Sequence, residues 1–364
     1  MKTALKKYGL ICFICLVSTQ VLYAQNWSFQ ELKHYQADGA FFGSPLVTEH
    51  AVVIGSHDKH IYFFSHEGEL LNAYETGGWI HATPSQLKNG QVVVGSYDRC
   101  LYFFTPTGKC LDKLRVGGRI FTNIVENIDE KLIFGCNNSL VSMDFETKEF
   151  IKKKTWNLLH GSIEMLSNGE LAIGSNAGKL FFINSLGEIL RQYTVDGWIL
   201  HSKPVELSMG YLVFGSYDKH LYFTELNGDP LGKVKLGGKI HGTPVENTDG
   251  NIIVSSFDGK VYFISPQGKV LYSFSTGKKI VASPARMTDG NVLVASYDDY
   301  LYLVSPEGKE LARYNAGGNV FSSPKKINDS TVVVANTKGR ISFLKLRKNA
   351  GDMGENIGEY AVPK

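Results

Sequence analysis

Four histidines, His81, His160, His201 and His241, each stand two residues before a Thr-Pro, Lys-Pro or equivalent step. The same position elsewhere in the chain holds Phe42, Phe121, Val281 and Phe321. An imidazole can donate and accept hydrogen bonds, ligate a metal or move a proton near neutral pH, so a recurring position that is half histidine could do chemistry. Beside it lie Trp79, Arg119, Trp198, Lys239 and Lys279, large or cationic residues that turn formation alone does not demand. Two readings stand. The histidines contact a ligand, or they fill a half-buried strand start as Phe and Val do, the imidazole bonding to its neighbour.

Familiar catalytic spacings are absent. The chain has no His-Glu-x-x-His pair, no glycine loop leading into a helix to cradle phosphate, and no nucleophile elbow. Asp58, Asp98, Asp218, Asp258 and Asp298 recur at one turn position, where a carboxylate shapes a hairpin by bonding to nearby backbone. The Gly-Gly steps at Gly77, Gly117, Gly237 and Gly317 fall between repeating units, where a tight crossover explains them.

The elements that must position these residues are copies of one another. AVVIGSHDKHIYFF from Ala51, QVVVGSYDRCLYFF from Gln91, YLVFGSYDKHLYFT from Tyr211, NIIVSSFDGKVYFI from Asn251 and NVLVASYDDYLYLV from Asn291 are joined by weaker copies from Lys131, Glu170 and Thr331. One anchor position falls at Gly55, Gly95, Gly135, Gly174, Gly215, Ser255, Ala295 and Ala335, spaced 39 to 41 residues apart. Within a unit, the β-branched run Val92-Val93-Val94, the turn Tyr97-Asp98-Arg99, the run Leu101 to Phe104 and a turn ending at Gly108 punctuate short strands. Asn89-Gly90, Asn168-Gly169, Asp249-Gly250 and Asp289-Gly290 are hairpin signals. A four-stranded antiparallel sheet in each of eight units predicts an all-β fold, an eight-bladed β-propeller.

The chain ends favour a closed ring over an open solenoid. Glu31-Leu32, Tyr35, Ala37, Gly39, Phe42 and Pro45 match Glu310-Leu311, Tyr314, Ala316, Gly318, Phe321 and Pro324 at the same spacing. The chain thus begins with a stray fourth strand, and its last unit, ending near Arg347, lacks one. Pairing the N-terminal strand with the last blade removes two open sheet edges.

This unit, with its Ser-Pro step, Asp-Gly or Asn-Gly turn, Val-Val-Gly-Ser-Tyr-Asp-like strand end and Leu-Tyr-Phe run, resembles the pyrroloquinoline-quinone-type β-propeller repeat over residues 27–347. Such repeats occur in quinoprotein dehydrogenases and in non-catalytic scaffolds, including the propeller subunit of the bacterial outer-membrane assembly machinery. The resemblance implies the fold and leaves function to the site. The dehydrogenases are longer, carry a docking tryptophan in most blades, and hold the quinone over calcium with a carboxylate cluster and often an adjacent-cysteine disulfide. This chain has only Trp27, Trp79, Trp156 and Trp198 and no Cys-Cys pair, so no cofactor is expected and quinone-dependent oxidation is the weakest reading.

Residues 1–24 read as a secretory signal: lysines at 2, 6 and 7, an apolar run from Tyr8 to Leu22, and Ala24 at the cut. The organisation expected is a propeller over 25–347 and a flexible tail over 348–364, in a monomer located in the periplasm or at the cell surface, without a transmembrane segment. The formal charge is +3, and removal of the three N-terminal lysines leaves 35 basic and 35 acidic residues, so nothing recommends a nucleic-acid partner. Cys100, Cys110 and Cys136 remain, an odd number. The turn Thr105 to Gly108 sets Phe103 opposite Cys110 and Cys100 roughly 10 Å out of register, so three free thiols are expected.

Antiparallel order puts the crossovers between blades at the same end as the turns between second and third strands. That face collects the candidate binding residues Trp79, His81, Arg119, His160, Trp198, His201, Lys239 and His241, and the other face gets hairpins chosen for backbone geometry. A metal is not expected, since equivalent positions on separate blades would stand too far apart to share bonds of about 2 Å. The reading favoured is a non-catalytic binding scaffold for a protein or ligand on the crossover face. The alternative is a small-molecule or carbohydrate binder. An aromatic or basic patch on the blade edges favours the first, a deep axial pocket under the histidines favours the second, and a carboxylate pair converging on that pocket would favour a third class, an unrecognised enzyme.

Overall fold

The computed structural model describes residues 27–155 and 158–349; the expected signal segment, Trp156 and residues 350–364 lie outside the described residues. Those residues form eight antiparallel sheets of four strands each, the eight-bladed β-propeller expected from the repeats. Among them no helix is long and apolar enough to cross a membrane.

Blade 2 shows the unit. A two-residue inner strand, Ser85–Gln86, leads to Val92–Gly95, Cys100–Phe104 and the outer strand Cys110–Arg115. The second and third strands of each blade are almost entirely buried, because both faces are covered by neighbouring blades, which is why they read as unbroken apolar runs. The outer strand alternates between exposed and half-buried positions, having one neighbour only. The core therefore lies between blades: Ile54 and Phe64 of blade 1 pack with Val333, Ile341 and Phe343 of blade 8. Each such side chain removed from water stabilises the fold by about 1.5–3 kcal/mol.

The anchor glycine at the end of the second strand has a steric cause. A Cβ on Gly55 or Gly215 would stand 2.1 Å from Cγ2 of Ile80 or Ile240, the crossover isoleucine that packs onto it. The turn aspartates are likewise accounted for. Asp98 Oδ1 accepts the Cys100 amide at 3.1 Å, and the Tyr102 hydroxyl donates to its other oxygen. The same Asp-to-Tyr clamp recurs at Asp58–Tyr62, Asp218–Tyr222, Asp258–Tyr262 and Asp298–Tyr302.

The ring closes as the chain ends suggested. Trp27–Gln36 pairs antiparallel with Arg340–Lys348, with Trp27 opposite Lys348 and Tyr35 opposite Ile341. The last strand thus ends at Lys348, one residue beyond the expected boundary. Glu31 receives Nη2 of Arg340 at 2.9 and 2.8 Å and the Tyr314 hydroxyl, tying the N-terminal strand to blades 7 and 8. Cys100, Cys110 and Cys136 are free. A bulge between Phe103 and Phe104 places Cys110 opposite Phe104, not Phe103, and Cys100 opposite Arg115, so the two cysteines are further out of register than expected.

Candidate functional site

Each crossover is pinned to the following blade by one repeated backbone bond. The carbonyls of Trp79, Trp198, Lys239 and Lys279 accept the amides of Tyr97, Tyr217, Phe257 and Tyr297 at 2.8–3.1 Å. Crossovers and second-to-third-strand turns therefore share one face, and the side chains on both sides of each bond stand side by side.

The outer circle of that face is aromatic and cationic. Trp79 is 50% and Trp198 51% exposed. Trp79 stacks on His57 with ring centres 4.8 Å apart and planes 8° from parallel, and Trp198 stacks on Tyr217 at 5.9 Å. Arg119 lies over Tyr97 at 5.5 Å, Lys239 over Tyr217 at 5.0 Å, and Lys279 over Tyr297 at 4.4 Å. Each such contact is worth about 0.5–1 kcal/mol at an exposed site, so it orders a charged side chain without hiding it.

The inner circle is a plug. Phe42, His81, Phe121, His160, His201, His241, Val281 and Phe321 line the end of the axial channel. His201 touches His241 at 4.6 Å, His81 at 5.7 Å and His160 at 5.9 Å between ring centres, and Phe321 meets His241 edge-on at 5.2 Å. Rings from separate blades thus meet across the channel. The reason is an inserted residue: Leu200 lengthens the crossover into blade 5, leaving His201 with φ of 58°, in the left-handed region. The 39-then-41 spacing of the anchors carried that signal. Among the described residues no group of three or more His, Cys, Asp or Glu side chains is arranged to hold a metal ion.

The plug imidazoles are neutral at physiological pH. Burial pushes His81 down to about 4, with the neighbouring histidines adding to it. Burial also takes His241 down to about 4, against the opposing bond its Nδ1 donates to the Val281 carbonyl at 3.1 Å. His201 lies well below its usual value and His160 and His57 lie lower for the same cause, burial. Nδ1 of His81 and Nε2 of His57 stand 3.2 Å apart, one donating and the other accepting. His241 and His81 thus bond to adjacent crossovers and turns, as the packing alternative requires.

Behind the plug lies an axial cavity of about 790 Å³. Its lining begins at the histidine and phenylalanine ring and reaches Lys88 in the first-to-second-strand turn of blade 2, so it opens on the hairpin face. A deep axial pocket under the histidines is the feature that the sequence analysis tied to a small-molecule binder, though it assigned no residue to the pocket itself. The residues before the proline steps form a hydrogen-bonded belt around this cavity. Ser323 N donates to Ser44 Oγ, Ser44 N to Thr83 Oγ1, Lys203 N to Thr243 Oγ1, Thr243 N to Ser283 Oγ and Ser283 N to Ser323 Oγ, at 2.8–3.1 Å. The repeated Ser/Thr two positions after the ring residue, used in the sequence only to align the units, is the signal that could have disclosed the belt.

No protein-family description and no curated protein matches the sequence. Among solved structures, the chain is similar to BamB from Moraxella catarrhalis, with a TM-score of 0.72 and 15% identity over 87% of this chain and 97% of that one. It is also similar to the computationally designed Ika8 protein, with a TM-score of 0.68 and 16% identity over 87% and 99% of the two chains. A natural and a designed protein thus share this fold, and the fold alone is what these likenesses show: an eight-bladed β-propeller of four-stranded blades.

Proposed function

We propose that this chain is a non-catalytic binding scaffold whose working surface is the crossover face, and that it takes a protein partner there. One observation carries the reading: two half-exposed tryptophans and a set of cations stacked on aromatic rings surround a closed, uncharged plug. The fold asks only for the backbone carbonyls of these residues, so their side chains are free to serve contact. Trp, Tyr and Arg are the residues enriched where truncation weakens interfaces most, since rigid rings contribute area at small entropic cost. In this reading Trp79, Arg119, Trp198 and Lys239 touch the partner, while His81, His160, His201 and His241 hold the plug on which the belt stands. The secretory character of residues 1–24 and the resemblance to a propeller subunit of outer-membrane assembly support work outside the cytoplasm.

The quinone alternative finds no support in the donor set. Trp79 and Trp198 lie on the outer circle, outside the cavity lining. The cysteines are unpaired, and the turn aspartates are engaged by tyrosines. The test is retention of envelope proteins by the full mature chain. We expect Trp79→Ala, Trp198→Ala and Lys239→Ala together to abolish it, and Ile128→Ser with Met209→Ser on the hairpin face to leave it intact. Loss with the second set and not the first would sink the assignment.

A further inference from the structure

The axial cavity is a second candidate, at the opposite end of the molecule from the proposed contact face. Its volume of about 790 Å³ lies in the range of small-molecule sites. Three observations define what it would hold.

The belt hydroxyls keep their protons uncommitted. The hydroxyl oxygens of Ser44, Thr83, Thr243, Ser283 and Ser323 each accept a backbone amide, and none of the five donates to a protein acceptor among the described residues. One lone pair of each oxygen is engaged and its proton is uncommitted, so the cavity wall presents hydroxyl donors that keep one acceptor lone pair each.

The cations in the cavity are unequal. Lys203 is paired with Glu164. Lys325, in the inner strand of blade 8, lines the same cavity and has no acidic or carbonyl partner among the described residues. Its side chain is exposed and stands among the residues lining the channel. Desolvation within the channel, and then the charge of Lys203, push Lys325 below its ordinary value. Lys325 is thus a cation with no protein counter-charge among the described residues, open to an incoming anion.

The carboxylates at the mouth do not pair with Lys325. Glu126 accepts the Lys88 amide at 2.7 Å, and Glu246 accepts the Ser208 amide and hydroxyl at 2.9 and 2.5 Å. Both are committed to joining neighbouring blades.

We propose that the axial cavity binds a small hydroxylated anion, a sugar acid or sugar phosphate in chemical class, entered from the hairpin face, with its acid group beside Lys325 and Lys203 and its oxygens accepting from the belt hydroxyls. Carboxylate and phosphate present the same chemistry to this wall, oxygen acceptors with negative charge. The ligand does not reach the crossover face, because the plug closes the channel between them.

The experiment is calorimetric titration of the mature chain with three probes: glucuronate, glucose 6-phosphate and glucose. We expect saturable binding of at least one anion and at least tenfold weaker binding of glucose. Lys325→Met should weaken the anion about tenfold or more, the loss of one charge-assisted contact, and Lys325→Arg should retain it. Trp79→Ala with Trp198→Ala should leave anion binding unchanged, which separates this site from the contact face. Lys325 carries no structural bond and its charge is disfavoured in the fold, so a melting midpoint no lower than that of the parent is expected for Lys325→Met and certifies the comparison. Whichever anion binds distinguishes the carboxylate from the phosphate source. Saturation by neither anion up to about 10 mM, equal binding of glucose, or unchanged affinity in Lys325→Met would overturn the proposal, leaving a water-filled channel.

Discussion

Ring closure depends on the N-terminal strand, and Tyr35 is where that dependence can be measured. Its ring lies 5.3 Å from Tyr62 and 5.4 Å from Phe64, and it packs against the cluster shared by blades 1 and 8. Replacing Tyr35 by alanine removes these two aromatic contacts and the half-buried area of the ring. Full burial of such a ring would make the loss about 3–5 kcal/mol, so a half-buried one should cost about 2–3 kcal/mol. At about 2 °C per kcal/mol for a chain of this size, the melting midpoint should fall by roughly 5 °C. The control lies on the same strand: Leu32 sits at the bulge between Glu31 and Lys33 and is 44% exposed, so Leu32→Ala should change stability by less than about 0.5 kcal/mol. Deleting the chain through Gln36 should go further and expose the edge of Arg340–Lys348, giving association or unfolding that a synthetic Trp27–Gln36 peptide added in trans relieves. Thermal melts followed by circular dichroism, with size-exclusion chromatography, read all three. If Tyr35→Ala costs no more than Leu32→Ala, or the deletion melts like the intact chain, the closure reasoning fails.

Gly215→Ala should destabilise by about 1–3 kcal/mol in a denaturant titration, because its methyl meets Ile240 at 2.1 Å; a neutral result would mean the crossover is not packed against the anchor. The plug predicts a pH dependence with a definite sign. Unfolded histidine titrates near 6.5 while His81 and His241 in the fold lie near 4, so their contribution is complete above about pH 6.5 and is lost as pH falls toward 4. Between pH 6.5 and 5 each should account for about 1–2 kcal/mol, and replacing both by phenylalanine, the residue that other blades carry there, should flatten the melting profile over that interval. A slope unchanged by the replacement would show that other groups set it. Thiol labelling of the unfolded, unreduced mature chain should count three cysteines; fewer would contradict the register of Cys100 and Cys110.

The blades were legible because their causes are local. The run Val92-Val93-Val94, the turn at Asp98 and the anchor glycine lie within one unit, and repetition multiplied a weak signal eight times. Closure was legible from the partial repeat at Glu31 to Pro45. The site was legible only in part. That Trp79 and Tyr97 share a face follows from strand direction, but the convergence of His81 with His201 depends on radial distance across the channel, which no interval along the chain encodes. The Leu200 insertion was visible as an uneven spacing, yet its effect, His201 turned into the left-handed region and against three other histidines, needs the ring to be built first. The belt escaped for a related reason: a serine before proline passes for part of the repeat unit, and its hydroxyl accepts an amide from a unit about 40 residues away. Lys325 looks like any surface lysine until the ring sets it among the residues lining the channel.

The most direct test of the proposed contact face is site-specific photocrosslinking. A photoreactive side chain would be placed at Trp198 on the crossover face and, in a second preparation, at Met209 on the hairpin face, in the full chain expressed in its own envelope. Both positions are about half exposed or more, 51% and 60%, so accessibility does not favour either. A discrete protein adduct from position 198, lost when Trp79 and Lys239 are also replaced by alanine, together with none from position 209, is the result expected. A discrete adduct from position 209 alone would place the partner on the hairpin face and contradict the assignment.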